Sequence, residues 1–327
     1  MANLTFTLRS GRRLGVTTFG DPDAERIVVL CHAAPGSSVF DPDPDISSTR
    51  DVHIIAIDRP GYGSSDPWPP GSWPSIAQAA DDIAEYLRAM NTTEGQLGIH
   101  RPRQVGAAGW SAGGRVALAL AARHPELVDR VAVIATPAPN DAVQWIPPQL
   151  QEEVERLAAL PPDDAVRQLS GMLQGQADTV AAAGSADEMP FDAVGVTAVD
   201  ERALELPGVR DRLARMLRDA FQQGPAGVAA DILSYTARPW GFELAEVRAK
   251  TLVIAGQGDA IAGNAHAAWY RRQLPDARQE MVPGVGHLVI VPAWGRVLSH
   301  VAPGTAKKRG AAASGEGKEV EQEEAMR

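Results

Sequence analysis

Short apolar runs, the later ones separated by helical stretches, constrain the fold of this chain more than any other feature. Residues 26–31 (RIVVLC) and 52–57 (VHIIAI) are rich in β-branched side chains and nearly continuous in hydrophobicity. Such runs suit strands buried on both faces rather than strands with one wet face. Residues 104–108, 131–135, 251–255 and 277–282 supply further strand candidates. Residues 4–9 and 13–19 read as an opening hairpin with Ser10-Gly11 at its turn. Between the strands, residues 75–90 place Ile76, Ala79, Ala80, Ile83 and Leu87 near helical spacing. Residues 113–123 form an Ala-rich helix, and residues 262–273 another. Strands alternating with helices imply an α/β fold with a mostly parallel central sheet flanked by helices on both faces.

After Thr136-Pro137 the pattern changes. Residues 149–160, 163–174, 209–222 and 227–236 read as amphipathic helices, broken by a loop-like stretch at 184–190 and by Leu206-Pro207-Gly208. This places a helical cap, residues 139–237, after the sixth strand and above the carboxyl ends of the strands, where open α/β sheets hold their ligands. The core then comprises residues 1–138 and 238–301, with a final helix starting near Pro292. Residues 302–327 run from Lys307-Lys308-Arg309 through Ala and Gly to a Glu-rich end. With almost no large apolar side chains, this stretch is expected to be a disordered tail.

Bulk properties narrow the function classes. A chain of 327 residues accommodates one large core with an insertion, or two domains. Lys and Arg total 31 against 41 Asp and Glu, a net charge of −10, which argues against nucleic acid or anionic membrane as the main partner. The single cysteine, Cys31, ends an apolar run and reads as a small core residue. No basic segment followed by an apolar stretch opens the chain, and no run reaches the roughly 20 apolar residues of a membrane span. The expected location is cytoplasmic and the expected partner a small-molecule substrate, with a homodimer left open. His53, His100, His124, His266 and His300 are scattered without metal-ligand spacing, and neither a G-x-G-x-x-G nor a phosphate-binding G-K-[ST] is present. No metal and no cofactor is expected.

The chemistry concentrates in a few turns. Gly109-Trp110-Ser111-Ala112-Gly113 is a G-x-S-x-G between a strand and a helix, the context of a nucleophile elbow. There Ser111 Oγ would stand clear of the sheet at the positive end of a helix, with the Ala112 amide facing a developing oxyanion. A serine hydroxyl needs a base. His287, in Pro283-Gly284-Val285-Gly286-His287, follows the last strand; Asp259, in Gly256-Gln257-Gly258-Asp259, follows the strand at 251–255. The chain order Ser, Asp, His is that of α/β-hydrolases. His32-Ala33-Ala34-Pro35-Gly36-Ser37 follows the strand ending at Cys31, where the second oxyanion amide, assigned to Ala34, would lie. His32 is read as bracing this loop. Trp110 is assigned to the substrate pocket; Trp145, Phe191 and Trp240 either line a pocket or belong to the core.

These segments resemble the capped α/β-hydrolase superfamily, nearest to its proline iminopeptidase-like and esterase-like members. Those carry an H-G-x-P-G loop, a D-R-x-G-x-G-x-S segment and a G-x-S-x-G-G elbow. Asp58-Arg59-Pro60-Gly61-Tyr62-Gly63-Ser64-Ser65 matches the second and is read as a structural turn, while Ala33 replaces the glycine of the first. The resemblance implies the α/β-hydrolase fold and a serine hydrolase acting by Ser111, His287 and Asp259. A small carboxylic ester is the preferred substrate because it demands least of the site. A proline iminopeptidase-like aminopeptidase, a C–C bond hydrolase or acyltransferase on the same triad, and a non-catalytic ligand-binding protein remain alternatives. An aminopeptidase would need an acidic group in the cap, for which Glu152, Glu153, Asp187 and Glu188 are available.

Overall fold

The strand runs pair as their composition requires. The structure, a computed structural model, describes residues 2–96 and 104–306. Eight strands form one sheet: β1 (Ala2–Thr7), β2 (Arg13–Gly20), β3 (Arg26–Cys31), β4 (His53–Ile57), β5 (Gln104–Trp110), β6 (Val128–Ile134), β7 (Lys250–Gly256) and β8 (Ala277–Val282). Their order is β1-β2-β4-β3-β5-β6-β7-β8, with β1 and β2 antiparallel neighbours and every pair from β4 to β8 parallel. Every residue of β3 and β4 is buried, the reason their sequences show no polar alternation.

The two faces carry separate cores. Ile27, Val29 and Cys31 point to one side with Val131, Val133 and Val253. That side is covered by α2 (Ile76–Gln96), α3 (Ala112–Arg123) and α9 (Asn264–Gln273). Val28 and Leu30 point to the other, with Ile54, Trp110, Ile254 and Trp294. There α10 (Ile290–Val301) and the five residues of α1 (Pro44–Ser48) close the layer. Each large side chain so buried contributes about 1.5–3 kcal/mol. Cys31 is such a core residue: burial pushes its thiol up to about 12, against a smaller opposing pull from Arg59.

Between β6 and β7 the chain makes α4 (Pro148–Ala158), α5 (Pro162–Ala182), α6 (Glu201–Leu204), α7 (Val209–Ala220) and α8 (Ala226–Thr236). The loop-like stretch after α5 runs into single turns at Phe191–Val194 and Ala198–Asp200. α5 extends to Ala182, well past the expected end, because Ala177 and Val180 join the buried core beneath it. The last helix begins at Ile290, near the expected Pro292; proline is tolerated in a first turn, where no intrahelical N–H is required.

The expected tail needs a correction at its start. Ala302 is fully buried, the Asp51 amide donates to Thr305 O at 2.7 Å, and Ala306 bridges to Arg50. The chain is thus ordered five residues beyond the expected boundary. Residues 307–327 lie outside the described residues.

Sheet topology positions the site. From β3 the chain runs first to β4 on one side, then returns to β5 on the other. The loops leaving β3 and β5 therefore diverge, and their carboxyl ends border the crevice where doubly wound sheets bind ligands. Leu30 pairs with Ala108 and Cys31 with Gly109, which sets the His32–Gly36 loop directly beside Ser111.

Candidate active site

Ser111 sits between the end of β5 and the first residue of α3 with φ 54° and ψ −122°. A side chain in the left-handed region is strained by about 1–3 kcal/mol and persists only where its surroundings enforce it. Here they do. The Ser111 amide donates to Ile134 O at 2.8 Å, tying the turn to β6. A Cβ at Gly109 would strike the backbone of Gly113 and Gly114, and one at Gly113 would strike the carbonyls of Cys31 and His32. Glycine at both positions lets α3 start hard against the ends of β5 and β3.

The structure brings Ser111, His287 and Asp259 together. His287 Nε2 lies 2.9 Å from Ser111 Oγ, and Nδ1 lies 2.9 Å from Asp259 Oδ2. An ionised carboxylate only accepts, so Nδ1 carries the ring proton and Nε2 is the atom free to accept the serine proton. Asp259 Oδ1 accepts the amides of Ile261 and Ala262 at 2.8 and 2.9 Å. Burial pushes the Asp259 carboxyl upward. The hydrogen bond and charge of His287, with those two amides, outweigh it and leave the group below its ordinary value.

The His32–Gly36 loop is held by its neighbours. The Arg59 amide donates to His32 Nε2 at 3.2 Å, which leaves Nδ1 to donate to Ala33 O at 2.7 Å. Burial, then the nearby Arg59 charge, hold the His32 imidazole well below its ordinary pKa, so it is neutral. Arg59 also donates to the carbonyls of His32 and Ala33 at 2.6 and 2.8 Å. The Ala34 and Ala112 amides donate to no protein group among the described residues. Asp58 anchors the same turn, accepting the Ser38 amide at 2.6 Å, while Ser65 Oγ donates to Asp58 O and accepts from Gly15 N.

Trp110, expected in the substrate pocket, is 1% exposed. Its indole N–H donates to His287 O at 2.9 Å, and its ring packs against Phe40 and His287. It supports the histidine loop from behind. Trp145 and Trp240, with Tyr235, surround the buried Arg115 guanidinium at 4.3–6.0 Å. These residues border a cavity of about 840 Å³ whose lining includes neither Ser111 nor His287. Phe191 is in the core.

Sequence reasoning missed two acidic side chains from the insertion. Asp231, on α8, forms an ion pair with Arg59. Asp200, fully buried, accepts the amides of Gly286 and Leu288 at 2.7 and 3.2 Å. Only the pairing of Thr197 with Asp200 as a helix-start signature was available to flag the second.

A family model described as the alpha/beta hydrolase fold matches residues 26–293, most of the chain. The chain belongs to the α/β-hydrolase family. This α/β-hydrolase is 30% identical, over 193 residues, to a pimeloyl-[acyl-carrier protein] methyl ester esterase of Aromatoleum aromaticum, covering 55% of this chain and 65% of that protein. It is 29% identical over 157 residues to a homoserine O-acetyltransferase of Natronomonas pharaonis, covering 39% of this chain and 38% of that protein. The matches thus span less than two thirds of either curated relative. Among solved structures, the α/β-hydrolase resembles a thermophilic esterase from Thermogutta terrifontis with a TM-score of 0.63 at 21% identity, over 91% of this chain and 95% of that one. An enol-lactonase from Burkholderia xenovorans gives 0.61 at 19% identity, over 90% and 98%. At such identities the likeness is one of fold.

Proposed function

We propose that this protein is a serine hydrolase that transfers the acyl group of a small carboxylic ester to water. The observation that carries the reading is His287, with one ring nitrogen 2.9 Å from Ser111 Oγ and the other 2.9 Å from Asp259.

Ser111 Oγ attacks the ester carbonyl carbon as its proton passes to His287 Nε2. Asp259 fixes the tautomer and stabilises the imidazolium that forms. The carbonyl oxygen becomes an oxyanion that the Ala34 and Ala112 amides receive, each worth roughly 3 kcal/mol in the transition state. His287 returns the proton to the leaving alkoxide, giving an alcohol and an acyl-Ser111. Water then attacks the acyl carbon, with His287 again as base, and releases the acid. The chemistry calls for neither metal nor cofactor. In this reading the insertion acts as a cap over the crevice.

An acyltransferase is the second reading, favoured by the homoserine O-acetyltransferase relative: the same acyl-enzyme would pass to an alcohol in place of water. For the aminopeptidase reading, none of the four acids singled out in the sequence, nor either of the two buried acids of the insertion, offers a free seat for the substrate ammonium. Glu152, Asp187 and Glu188 are exposed, Glu153 pairs with Arg156, and the buried acids Asp200 and Asp231 are already engaged.

A panel of short-chain nitrophenyl esters, assayed with and without added alcohols, tests the choice. Release of free acid that disappears in Ser111→Ala supports the hydrolase. Predominant formation of new esters would favour the transferase. No turnover alongside saturable ligand binding would favour a binding protein.

A further inference from the structure

We infer that Asp200 is a positioning residue for His287: the insertion, together with the sheet, sets the place of the base. The inference rests on the hydrolase reading.

Asp200 lies 87 positions before His287 in sequence, yet one of its carboxylate oxygens, Oδ1, receives the amides on both sides of that histidine, Gly286 N at 2.7 Å and Leu288 N at 3.2 Å. The other oxygen accepts the Thr197 amide at 3.1 Å, which locks the side chain into its own turn. The carboxylate is completely buried. A buried charge is costly unless hydrogen bonds satisfy it, and here three backbone amides do so. Two of those amides flank the residue whose ring must reach Ser111.

The surrounding segment closes on the same histidine. A Cβ at Gly195 would lie 2.9 Å from His287 Cδ2, and one at Gly258 would meet the Val199 side chain. A Cβ at Gly286 would in turn press on the Asp200 carboxylate. From below, Trp110 holds the His287 carbonyl. The histidine is thus gripped through its carbonyl by the elbow strand and through its neighbouring amides by the insertion. A displacement of about 1 Å on loss of the second grip is enough to cost about 100-fold in rate. Asp200 touches neither substrate nor reacting atoms, so it acts through His287 alone.

The test compares wild type, Asp200→Ala, Asp200→Asn and, as a control on an exposed ion pair of the insertion, Glu153→Gln. Two readouts apply: the rate constant for labelling of Ser111 by a fluorophosphonate, and the downfield proton resonance of the His287–Asp259 hydrogen bond. Asp200→Ala is expected to label about 100-fold more slowly. Asp200→Asn, which keeps one oxygen acceptor but loses the charge-assisted bonds, should fall about tenfold. The proton resonance should move in both and stay in Glu153→Gln. Ester hydrolysis should lose kcat with KM unchanged. A folded Asp200→Ala that labels at the wild-type rate with an unmoved resonance overturns the inference. If that variant does not fold, Asp200→Asn decides by the same two readouts. Failure of wild type to label or turn over would instead remove the hydrolase reading, and the resonance would still report whether Asp200 positions His287.

Discussion

Arg59 and Asp231 form a buried two-pronged ion pair, with Arg59 Nη2 2.6 Å from Asp231 Oδ2 and Nε 3.1 Å from both carboxylate oxygens. The same guanidinium holds the carbonyls of His32 and Ala33, and Tyr62 Oη adds a hydrogen bond to Asp231 at 3.1 Å. The insertion therefore braces the oxyanion loop through Arg59 as well as the histidine loop through Asp200. Asp231→Ala strands a buried cation and should cost about 3–5 kcal/mol. Urea denaturation would read this as a lower midpoint with an unchanged m-value; a loss under about 1 kcal/mol would show the pair to be dispensable.

Ser111 combines the nucleophile with a left-handed backbone, so its removal should separate activity from stability. Ser111→Gly and Ser111→Ala are both expected to abolish turnover. Glycine relieves the φ of 54° that alanine retains. Set against the larger unfolded-state entropy of glycine, the relief should leave Ser111→Gly more stable by about 1 kcal/mol. Thermal denaturation of the two variants side by side measures the difference. Equal stability would mean that the elbow is not strained.

Gly195 and Gly224 offer a matched pair. Both have φ of 79°, but a Cβ at Gly195 would meet His287 and Ile261, whereas one at Gly224 would meet nothing within 4 Å. Alanine at either position should cost about 1–2 kcal/mol of stability. Only Gly195→Ala should also slow Ser111 labelling, by roughly tenfold or more, because it displaces the imidazole. Equal labelling rates in the two variants would count against close packing of the insertion on His287.

Asp58 predicts a pH dependence of stability. Burial, partly offset by the Ser38 amide, raises its carboxyl from the ordinary 3.8 to about 6. Between those values the folded protein keeps a proton that the unfolded chain has lost, so the contribution of this group is greatest below pH 4. It declines by about 3 kcal/mol as pH rises past 6. Asp58→Asn cannot ionise. The stability of that variant relative to wild type should therefore rise in its favour between pH 4 and 7. Asp259, whose carboxyl is held low, pulls the other way in both proteins and cancels in the comparison. A pH-independent difference would refute the assignment.

Much of this architecture was legible in short segments of sequence, for a physical reason. β3 and β4 are buried on both faces, so each strand declares itself by composition alone. The elbow, the Asp259 turn and the His287 loop each follow a strand, and glycines mark where backbone approaches backbone. Asp200 and Asp231 were not legible. Each is one acid among many in a helical stretch, and each matters through a partner 86 to 172 residues away. The reading of Trp110 as pocket wall erred on the direction of its ring, because alternation along β5 turns that side chain into the core under His287. The ordered stretch from Ala302 to Ala306 escaped for a similar reason. Backbone pairing with residues 50–51, together with the single buried side chain of Ala302, holds it.

The central claim is that Ser111 is an activated nucleophile, and reaction with a fluorophosphonate probe tests it without knowledge of the substrate. Mass spectrometry of the labelled protein should find one adduct, on the peptide bearing Ser111, formed stoichiometrically and lost in His287→Ala. Folded wild-type protein that remains unlabelled, or that labels equally well without His287, would contradict the account.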